Sequence, residues 1–354
     1  NLYANLKKMG AELRTNTRLT EIMQNADGTV TGVKAEKEDG GVLTVHAKAV
    51  IIATGGFGGD VERVRRELKT PYLNFIGMPS MGEGLDAMLK AGAKDWDATP
   101  LLHGCQLAES TVAKESSSEH LAGYSSSALT WLLQSPLLWV DGEGSRFVNE
   151  DVVYDTAFWA NAGYAAGGRY FIVADQATLD SYTNGDTLRL SYSGPGPSKE
   201  GGNLTELAEL AVQGKTAWKG NTLSELASAA GFDERSFASS VDRYNTMVSQ
   251  RNDTDYGKSA KSLRFGVSQG PFYAFDCRAV FLGTIGGVKV DEYLRVLDVE
   301  QYKPIPGLFA AGTSAGGYYA GRGYPPYEGL ACGFAWTSGR IAGESAASYA
   351  KSAK

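Results

Sequence analysis

The residues whose types and spacing most clearly indicate a chemical function lie near the C-terminal end of the chain, in the segment 305–343. An apolar stretch there runs into a glycine-rich loop, and a helix of small residues is predicted to begin near Gly329. Eight glycines lie between Gly307 and Gly333, so the backbone can approach a flat ligand closely. The helix N-terminus would offer that ligand free N–H groups and a positive partial charge. A reduced flavin, whose negative charge lies at one edge of its ring, suits such a site, although an ordinary glycine-rich turn has the same pattern.

A second segment has the same character. Residues 49–59 form an apolar run that ends in a glycine cluster containing Gly55 and Gly56. An uninterrupted apolar run of this length predicts a strand that is buried on both faces. Two turns from strand to glycine on one α/β sheet are a usual way to hold a dinucleotide. The pair of segments therefore favours a bound dinucleotide over an ordinary turn.

Length and composition argue against several classes of function. The chain has 354 residues, enough for two domains, and its 43% hydrophobic and 21% charged content is typical of a globular protein. The net charge of −6 gives no basic field, which argues against a nucleic-acid partner. Cys105, Cys277 and Cys332 form no C-x-x-C pair, which argues against a zinc or iron–sulfur site. The longest apolar stretch, 128–140, is too short and too polar for a transmembrane segment.

The hydrophobic pattern divides the chain into three parts. Residues 1–75 predict strands, hairpin turns and a helix, residues 76–277 predict a region of helices and long loops, and the β pattern returns over 278–354. The chain therefore leaves one α/β domain near residue 75 and re-enters it near residue 278. The middle part is predicted to be an inserted domain.

Helices and strands are predicted from the spacing of apolar residues. The predicted helices cover 2–9, 60–68, 204–213, 222–230 and 234–250. Asp233 should cap the last of these helices, and a strand should begin at Gly286. The chain opens inside its first helix, which suggests that an N-terminal part precedes it.

Seven short markers carry a resemblance to a known family. They are Ala53-Thr54-Gly55-Gly56-Phe57, Gly82-Glu83-Gly84 with Gly92-Ala93, Arg146-Phe147-Val148-Asn149-Glu150, Arg243-Tyr244-Asn245, Gly286-Gly287-Val288, Gly307-Leu308-Phe309-Ala310-Ala311-Gly312 and Gly339-Arg340-Ile341-Ala342-Gly343. In this order and spacing, the sequence resembles the flavoprotein superfamily of soluble fumarate reductases, flavocytochrome c enzymes and 3-ketosteroid dehydrogenases. The resemblance covers nearly the whole chain.

The resemblance implies FAD as the cofactor and an α/β fold. The fold would consist of a doubly wound FAD-binding domain and an inserted α+β capping domain that is mobile. The FAD-binding domain would be incomplete, because the family's first βαβ unit carries a G-x-G-x-x-G phosphate fingerprint that this sequence lacks.

The resemblance also implies which residues contact the cofactor. These residues are Leu19, Ala53, Thr54, Gly55, Gly56, Gly312, Thr313, Leu330 and Ala331. Leu19 would contact the adenine through its backbone, and residues 53–56 would line the dinucleotide. Residues 312–313 would lie near the ribityl chain, with Thr313 at a position where relatives usually have Glu. Residues 330–331 would open the helix that faces the C2 carbonyl edge of the flavin.

Similar enzymes move a hydride between flavin N5 and the β-carbon of an activated C=C bond, while a side chain delivers or removes a proton at the α-carbon. Tyr154 lies four residues after the Arg-Phe-Val-Asn-Glu motif. Fumarate reductases have a proton-donating Arg at this position, and ketosteroid dehydrogenases have a Tyr base after the same motif. The resemblance therefore implies that Tyr154 carries the proton. The alternative is a buried aromatic ring that only packs.

Two positions bear on the substrate. Gly283 lies just before the Thr-x-Gly-Gly-Val segment, at a position where similar enzymes have a histidine that binds a carboxylate of the substrate. The loss of this histidine argues against a small dicarboxylate as the substrate. His103 matches another substrate-binding histidine of fumarate reductases, with a one-residue gap. A structural histidine is the alternative for His103.

The segment 319–329 can be aligned in two ways. In one alignment, Arg322 matches the Arg of a fumarate reductase Ala-Asn-Arg motif, which binds a carboxylate. In the other, Tyr324 and Gly329 match a ketosteroid dehydrogenase Tyr-Pro-Gly-x-Gly motif, whose Tyr hydroxyl and Gly N–H polarise the carbonyl of the substrate. An aromatic wall that includes Tyr318 and only packs is the third interpretation; it too would suit a flat, apolar substrate.

Together with the resemblance, these residues predict an FAD-dependent oxidoreductase that reduces a conjugated C=C bond of a bulky enone or unsaturated acid. A 3-ketosteroid-type dehydrogenase, which runs the same chemistry in reverse, is an alternative. A C-terminal fragment without activity is another. An electron-donor protein or domain could supply the reducing equivalents.

Overall fold

The fold is mixed α/β. The computed structural model describes residues 2–75, 78–108, 128–155, 158–188, 203–318 and 329–353. The chain forms two compact units. The first unit contains Asn1–Glu67, Gly77–Leu101 and Gly283–Lys354, and the second unit contains Leu68–Ile76 and Leu102–Leu282. Among the described residues, no helix is long and apolar enough to cross a bilayer.

The elements follow one another along the chain as helices and mostly short strands. The helices are α1 (Leu2–Lys8), α2 (Val61–Leu68), α3 (Glu83–Lys90), α4 (Ala128–Leu133), α5 (Trp159–Ala165), α6 (Gln176–Thr183), α7 (Leu204–Gln213), α8 (Leu223–Ala230), α9 (Glu234–Gln250) and α10 (Leu330–Ser352). The strands are β1 (Thr17–Gln24), β2 (Val30–Lys37), β3 (Val42–His46), β4 (Val50–Ile52), β5 (Leu73–Phe75), β6 (Thr99–Leu107), β7 (Leu138–Val140), β8 (Arg169–Asp175), β9 (Ala217–Gly220), β10 (Phe272–Ile285), β11 (Arg295–Leu297) and β12 (Pro304–Ala310). Two short 3₁₀ helices cover Glu150–Tyr154 and Gly312–Ser314.

The helix predictions are confirmed. Helices α7 and α9 have the predicted bounds, and Asp233 Oδ1 accepts a hydrogen bond from Ser236 N at 2.8 Å, as expected of an N-cap. The strand predicted to begin at Gly286 is wrong. β10 ends at Ile285, because Gly286 and Gly287 adopt φ angles of 87° and 140° that do not continue an L-residue strand.

The first unit contains two three-stranded sheets. One is antiparallel, in the order β1-β2-β3, and the other has the order β11-β12-β4. In the second sheet β12 pairs in parallel with β4, so that Ala310 lies opposite Ile52. The carboxyl ends of these two strands therefore lie side by side.

The second unit is built around a six-stranded sheet. β10 is its central strand and pairs with β5, β6, β8 and β9, while β7 pairs with β8. Helix α9 packs on this sheet through Phe237, Val241 and Tyr244, which share one face and are buried. This packing fixes α9 and the chain that follows it against β7.

Candidate active site

The turns after β4 and β12 lie together in the first unit. Ala311 N donates to Ile52 O at 3.0 Å, directly beyond the paired strands. Ile52 and residues 307–310 are buried, but Ile51 is 40% exposed, so the prediction that the first strand is buried on both faces is wrong. Thr54 and Thr313 are exposed immediately after the strands end. These two turns contain six of the predicted cofactor contacts, at residues 53–56 and 312–313, and the structure brings them into one place.

Ser314 connects the two turns. Its hydroxyl is fully buried, accepts a hydrogen bond from Gly55 N at 3.1 Å and donates one to Gly55 O at 3.2 Å. Gly55 has a φ of 78°, a conformation that favours glycine. One serine therefore binds both backbone groups of the residue that turns the chain after β4. The sequence analysis missed Ser314, because a serine in a glycine-rich loop gives no signal of a distant partner.

The glycines of the first turn are needed for packing within the protein. A Cβ atom added to Gly56 would lie 1.8 Å from Thr284 Oγ1, and one added to Gly55 would lie 2.6 Å from Ser80 Oγ. Both distances are shorter than any real contact of a Cβ atom. Close approach of neighbouring side chains therefore requires glycine at both positions.

Helix α10 contacts the second turn through Ser338 and has an uncapped N-terminus. Gly329 is the N-cap residue with a φ of 83°, and it has no side-chain capping bond. Leu330 and Ala331, two further predicted cofactor contacts, form the first turn and are half-buried. Ser338, about two and a half turns later, accepts a hydrogen bond from Gly312 N at 2.9 Å, which anchors α10 to the second turn.

The set of exposed strand ends and free N–H groups fits a flat ligand with a negative edge. The N–H groups of the first helical turn carry the positive end of the helix dipole, and no side chain among the described residues caps them. FAD fits these residues. Leu19, the ninth predicted contact, is half-buried in β1 opposite Ala35, in the other sheet of the unit.

Tyr154 lies in the second unit as the last residue of the 3₁₀ helix Glu150–Tyr154, and it is half-buried. It lies near Tyr182, whose pKa is raised well above its ordinary value by burial, with a smaller contribution in the same direction from Tyr154. The hydroxyl of Tyr182 donates to Ser135 Oγ at 2.9 Å. The predicted proton carrier therefore lies within electrostatic range of the Tyr182 hydroxyl.

Three predicted site residues cannot be placed in full. Arg322 and Tyr324 lie outside the described residues, and His103 lies in β6 with a side chain that is also outside them. Gly283, in contrast, is described. A Cβ atom added to it would meet Met78 Cε at 3.6 Å, and no other described heavy atom beyond its chain neighbours would lie within 4 Å.

The structure shows a buried network of charges that the sequence analysis did not predict. Arg146 donates to Glu150 Oε1 at 2.8 Å and to Asp253 Oδ2 at 2.7 Å, and the side chains of both carboxylates are fully buried. Lys258 Nζ, also fully buried, lies 3.3 Å from Glu150 Oε2. Two cations and two anions therefore balance in the interior of the second unit. The spacing of Arg146 and Glu150 was a sequence signal, but nothing in the sequence pointed to Asp253 or Lys258 as partners more than a hundred residues away.

Burial and ion pairing act in opposite directions on these groups. Burial raises the pKa of Asp253, but hydrogen bonds from Arg146 and from three backbone N–H groups outweigh it and leave the pKa below its ordinary value. Burial lowers the pKa of Lys258, but its contacts with Tyr244 and Glu150 outweigh this effect and raise the pKa overall. Asp253 and Lys258 are therefore both ionised at neutral pH.

Comparisons with known proteins agree with this arrangement. A family model described as "FAD binding domain" matches residues 1–324. A vinyl phenol reductase from Lactiplantibacillus plantarum is 31% identical, and the match covers 98% of this chain and 70% of that protein. A fumarate reductase (cytochrome) from Shewanella frigidimarina is 30% identical, and the match covers 99% of this chain and 54% of that protein. The chain thus spans between about half and 70% of the length of these relatives.

A solved structure shows the same fold. The 3-ketosteroid delta1-dehydrogenase from Sterolibacterium denitrificans has a TM-score of 0.66 at 20% identity, and the match covers 98% of this chain and 62% of that one. The predicted resemblance and the prediction of FAD are confirmed by these matches. The predicted class of enzyme, an FAD-dependent oxidoreductase of C=C bonds, is confirmed for the family, since vinyl phenol and fumarate each contain such a bond. The chain belongs to the FAD-binding domain family of flavoprotein oxidoreductases.

Proposed function

We propose that this chain transfers a hydride between flavin N5 and a conjugated C=C bond, in the direction of reduction. The two relatives reported above are both named as reductases, of vinyl phenol and of fumarate. In the proposed architecture, the first unit is a doubly wound FAD-binding domain with the segments 1–75 and 278–354, and the second unit is an inserted capping domain over 76–277.

Different residues of the chain would bind the cofactor and deliver the proton. The turns at 53–56 and 312–313 and the first turn of α10 would hold the cofactor through backbone groups, with Leu19 at the adenine. FAD, when bound, supplies the hydride chemistry at N5. Tyr154 would deliver a proton to the α-carbon from its phenol hydroxyl.

The remaining site residues would bind the activating group of the substrate. Arg322 would pair with a carboxylate, or Tyr324 and the N–H of Gly329 would polarise a carbonyl. His103 would add a further hydrogen bond to the substrate. These groups stabilise the enolate-like charge that develops during hydride transfer.

The substrate should be larger and more apolar than fumarate, and the surroundings of Gly283 carry this part of the proposal. Position 283 has no side chain, and beyond its chain neighbours the only described atom within 4 Å of an added Cβ is the thioether methyl of Met78. A histidine here in similar enzymes would bring a hydrogen-bond donor. A glycine facing a methionine offers space and apolar surface instead. An aromatic conjugated acceptor would use that space.

A panel of acceptors tests the proposal. The dithionite-reduced, full-length flavoprotein should be reoxidised by 4-vinylphenol, fumarate, acrylate, cyclohex-2-enone and a 3-ketosteroid, each followed by flavin absorbance under anaerobic conditions. We expect the aromatic or cyclic acceptors to exceed fumarate in kcat/KM by at least about tenfold, or about 1.4 kcal/mol of transition-state preference. A tenfold preference for fumarate would contradict the proposal.

Two variants at one position sharpen the test. Gly283→His should raise the efficiency with fumarate relative to that with the apolar acceptor. Gly283→Ala is the matched control, because its methyl group would meet Met78 Cε at an ordinary 3.6 Å and adds no charge or donor. If both variants change the ratio of kcat/KM for fumarate to that for the apolar acceptor equally, then the bulk of the side chain, and not its polarity, decides the substrate preference.

The tyrosine at position 154 favours a second candidate, a 3-ketosteroid-type dehydrogenase, because that reaction needs a base where a fumarate reductase keeps an arginine. This candidate predicts that a saturated 3-ketosteroid reduces the oxidised enzyme in the presence of an artificial electron acceptor. If the enzyme reduces enones but does not oxidise a saturated 3-ketosteroid, the dehydrogenase candidate is contradicted.

A further inference from the structure

The 3₁₀ helix that ends at Tyr154 begins in the buried charge network. Its first residue, Glu150, accepts hydrogen bonds from Arg146 Nε at 2.8 Å and Nη2 at 2.7 Å. Trp139 N, at the middle of β7, donates to the same carboxylate at 3.3 Å. The start of the helix is therefore fixed to the central sheet of the second unit through one side chain.

Residues 253–259, which we call the clasp loop, bind this helix from a distant part of the sequence. Asp253 organises the loop by accepting hydrogen bonds from the backbone N–H groups of Asp255, Tyr256 and Lys258, at 2.9, 3.2 and 2.9 Å. The same carboxylate binds Arg146 through two hydrogen bonds of 3.0 and 2.7 Å. One aspartate thus shapes the loop and joins it to the residue that holds Glu150.

Three further contacts connect the clasp loop to successive residues at the start of the helix. Asn149 Nδ2 donates to Tyr256 O at 3.2 Å. Lys258 Nζ lies 3.3 Å from Glu150 Oε2. Ser259 N donates to Asp151 Oδ2 at 2.7 Å. Residues 149, 150 and 151 are therefore each held by a different part of the loop.

We infer that the clasp loop positions Tyr154 for proton transfer, with Asp151 as the positioning residue nearest to it. The Glu150–Tyr154 helix has only five residues, so that holding its first two residues and its N-cap leaves little freedom for the phenol at its end. A misplacement of about 1 Å can cost a catalytic group about 10²-fold in rate. This inference rests on the proposed role of Tyr154.

The alternative is that the clasp loop only stabilises the second unit. Asp151 allows the two to be separated, because its contact lies at the outer end of the clasp and its loss leaves the four buried charges paired. Asp151→Ala removes the acceptor for Ser259 N. Asp151→Asn also removes the charge but retains an oxygen acceptor, so it is the matched control.

The experiment is a double-mutant cycle in the full-length flavoprotein. Asp151→Ala and Asp151→Asn are each made in the wild type and in Tyr154→Phe, and reoxidation of the reduced flavin is measured with the fastest acceptor of the panel above. We expect Asp151→Ala to slow reoxidation about tenfold in the wild type and to have no further effect in Tyr154→Phe. Asp151→Asn should restore most of the rate. Reduction of the flavin by dithionite should be the same in all variants.

Amide hydrogen exchange gives a readout that does not depend on turnover. Exchange across 149–155 should accelerate in Asp151→Ala and remain near the wild-type rate in Asp151→Asn. Equal losses of rate in both backgrounds, or a wild-type rate in Asp151→Ala, would overturn the inference. If the single variant Tyr154→Phe reoxidises at the wild-type rate, the proposed role of Tyr154 is refuted. That result is distinct from the others, and it would also mean that the clasp loop does not position a proton donor.

Discussion

The turns of the first unit and the clasp of the second unit hold their residues by opposite means. After β4 and β12, the contacts are backbone groups, two serine hydroxyls and glycines packed against neighbouring side chains. Around the Glu150–Tyr154 helix, the contacts include four buried charges, two of which, Asp253 and Lys258, come from a distant part of the chain. The contacts just cited for the first region involve no titratable group, whereas those of the second region are largely between charged side chains.

This difference follows from what each region has to present. A flat cofactor is approached most closely by backbone N–H groups, and glycine and serine leave those groups accessible. A proton donor must be one side chain in one place, and buried ion pairs fix geometry even where they add little net stability. Substitutions should therefore lower stability or activity through steric clashes in the first unit and through unpaired charges in the second.

The largest effect is expected for Tyr154→Phe. The substitution retains the ring and removes the proton, so flavin binding should survive while turnover falls by about 10²–10⁴-fold, the usual contribution of general acid–base catalysis. Flavin reduction by an artificial donor should not change, because that step does not use the phenol. Stopped-flow reoxidation of the reduced enzyme measures the loss. Near-normal turnover would show that Tyr154 only packs, and attention would pass to Arg322.

Asp253→Asn should cause the largest loss of stability. It leaves a buried excess of one positive charge in the network of Arg146, Glu150 and Lys258, and breaking such a pair costs about 3–5 kcal/mol. Urea unfolding of the second unit, followed by tryptophan fluorescence, measures the change. Asp255→Asn is the control in the same loop, because Asp255 pairs with Arg243, whose side chain is 65% exposed, and should shift the unfolding midpoint much less.

The same carboxylate predicts a dependence of stability on pH. The pKa of Asp253 is lower in the folded protein than its ordinary value of about 3.9. Its contribution is therefore fully present above that ordinary value and is lost as the pH falls through the acid range. The wild-type protein should lose stability more steeply than Asp253→Asn below about pH 4. Parallel acid-unfolding curves would show that Asp253 does not control this transition.

Gly56→Ala tests the steric side of the comparison. Its Cβ atom would lie 1.8 Å from Thr284 Oγ1, so the turn after β4 must shift, and overpacking of this kind costs about 1–3 kcal/mol. The flavin content of the purified protein should fall with the stability. Gly339→Ala in helix α10 is the control, because an added Cβ would meet no described atom within 4 Å beyond the adjacent backbone of its own helix. Alanine also favours a helix over glycine by up to about 1 kcal/mol. Full flavin content in Gly56→Ala would show that the turn adapts.

The sequence predicted one of these regions much better than the other. The apolar runs before Gly55 and Gly312 indicated two strands that end in glycine turns, and the parallel pair β4 and β12 has that form. Asp253 and Lys258, in contrast, lie in an ordinary polar segment, and their roles depend on burial against residues more than a hundred positions away. Local periodicity carries no information about such pairs. The prediction of a strand at Gly286 failed for a different reason, because the φ angles of Gly286 and Gly287 are positive and end β10 at Ile285.

The smallest effect is expected for Ser338→Ala, which tests whether one hydroxyl anchors helix α10 to the turn after β12. Ser338 is 1% exposed and accepts the hydrogen bond from Gly312 N, and its loss should cost about 1 kcal/mol. If α10 holds the flavin through its N-terminal N–H groups, as proposed, the affinity for FAD should fall together with the stability. Titration of the deflavinated protein with FAD, alongside urea unfolding, measures both. Ser348→Ala, an exposed position in the same helix, should leave the affinity unchanged. If Ser338→Ala loses stability but retains its affinity for FAD, then the anchor supports the fold alone and the helix terminus reaches the cofactor without it.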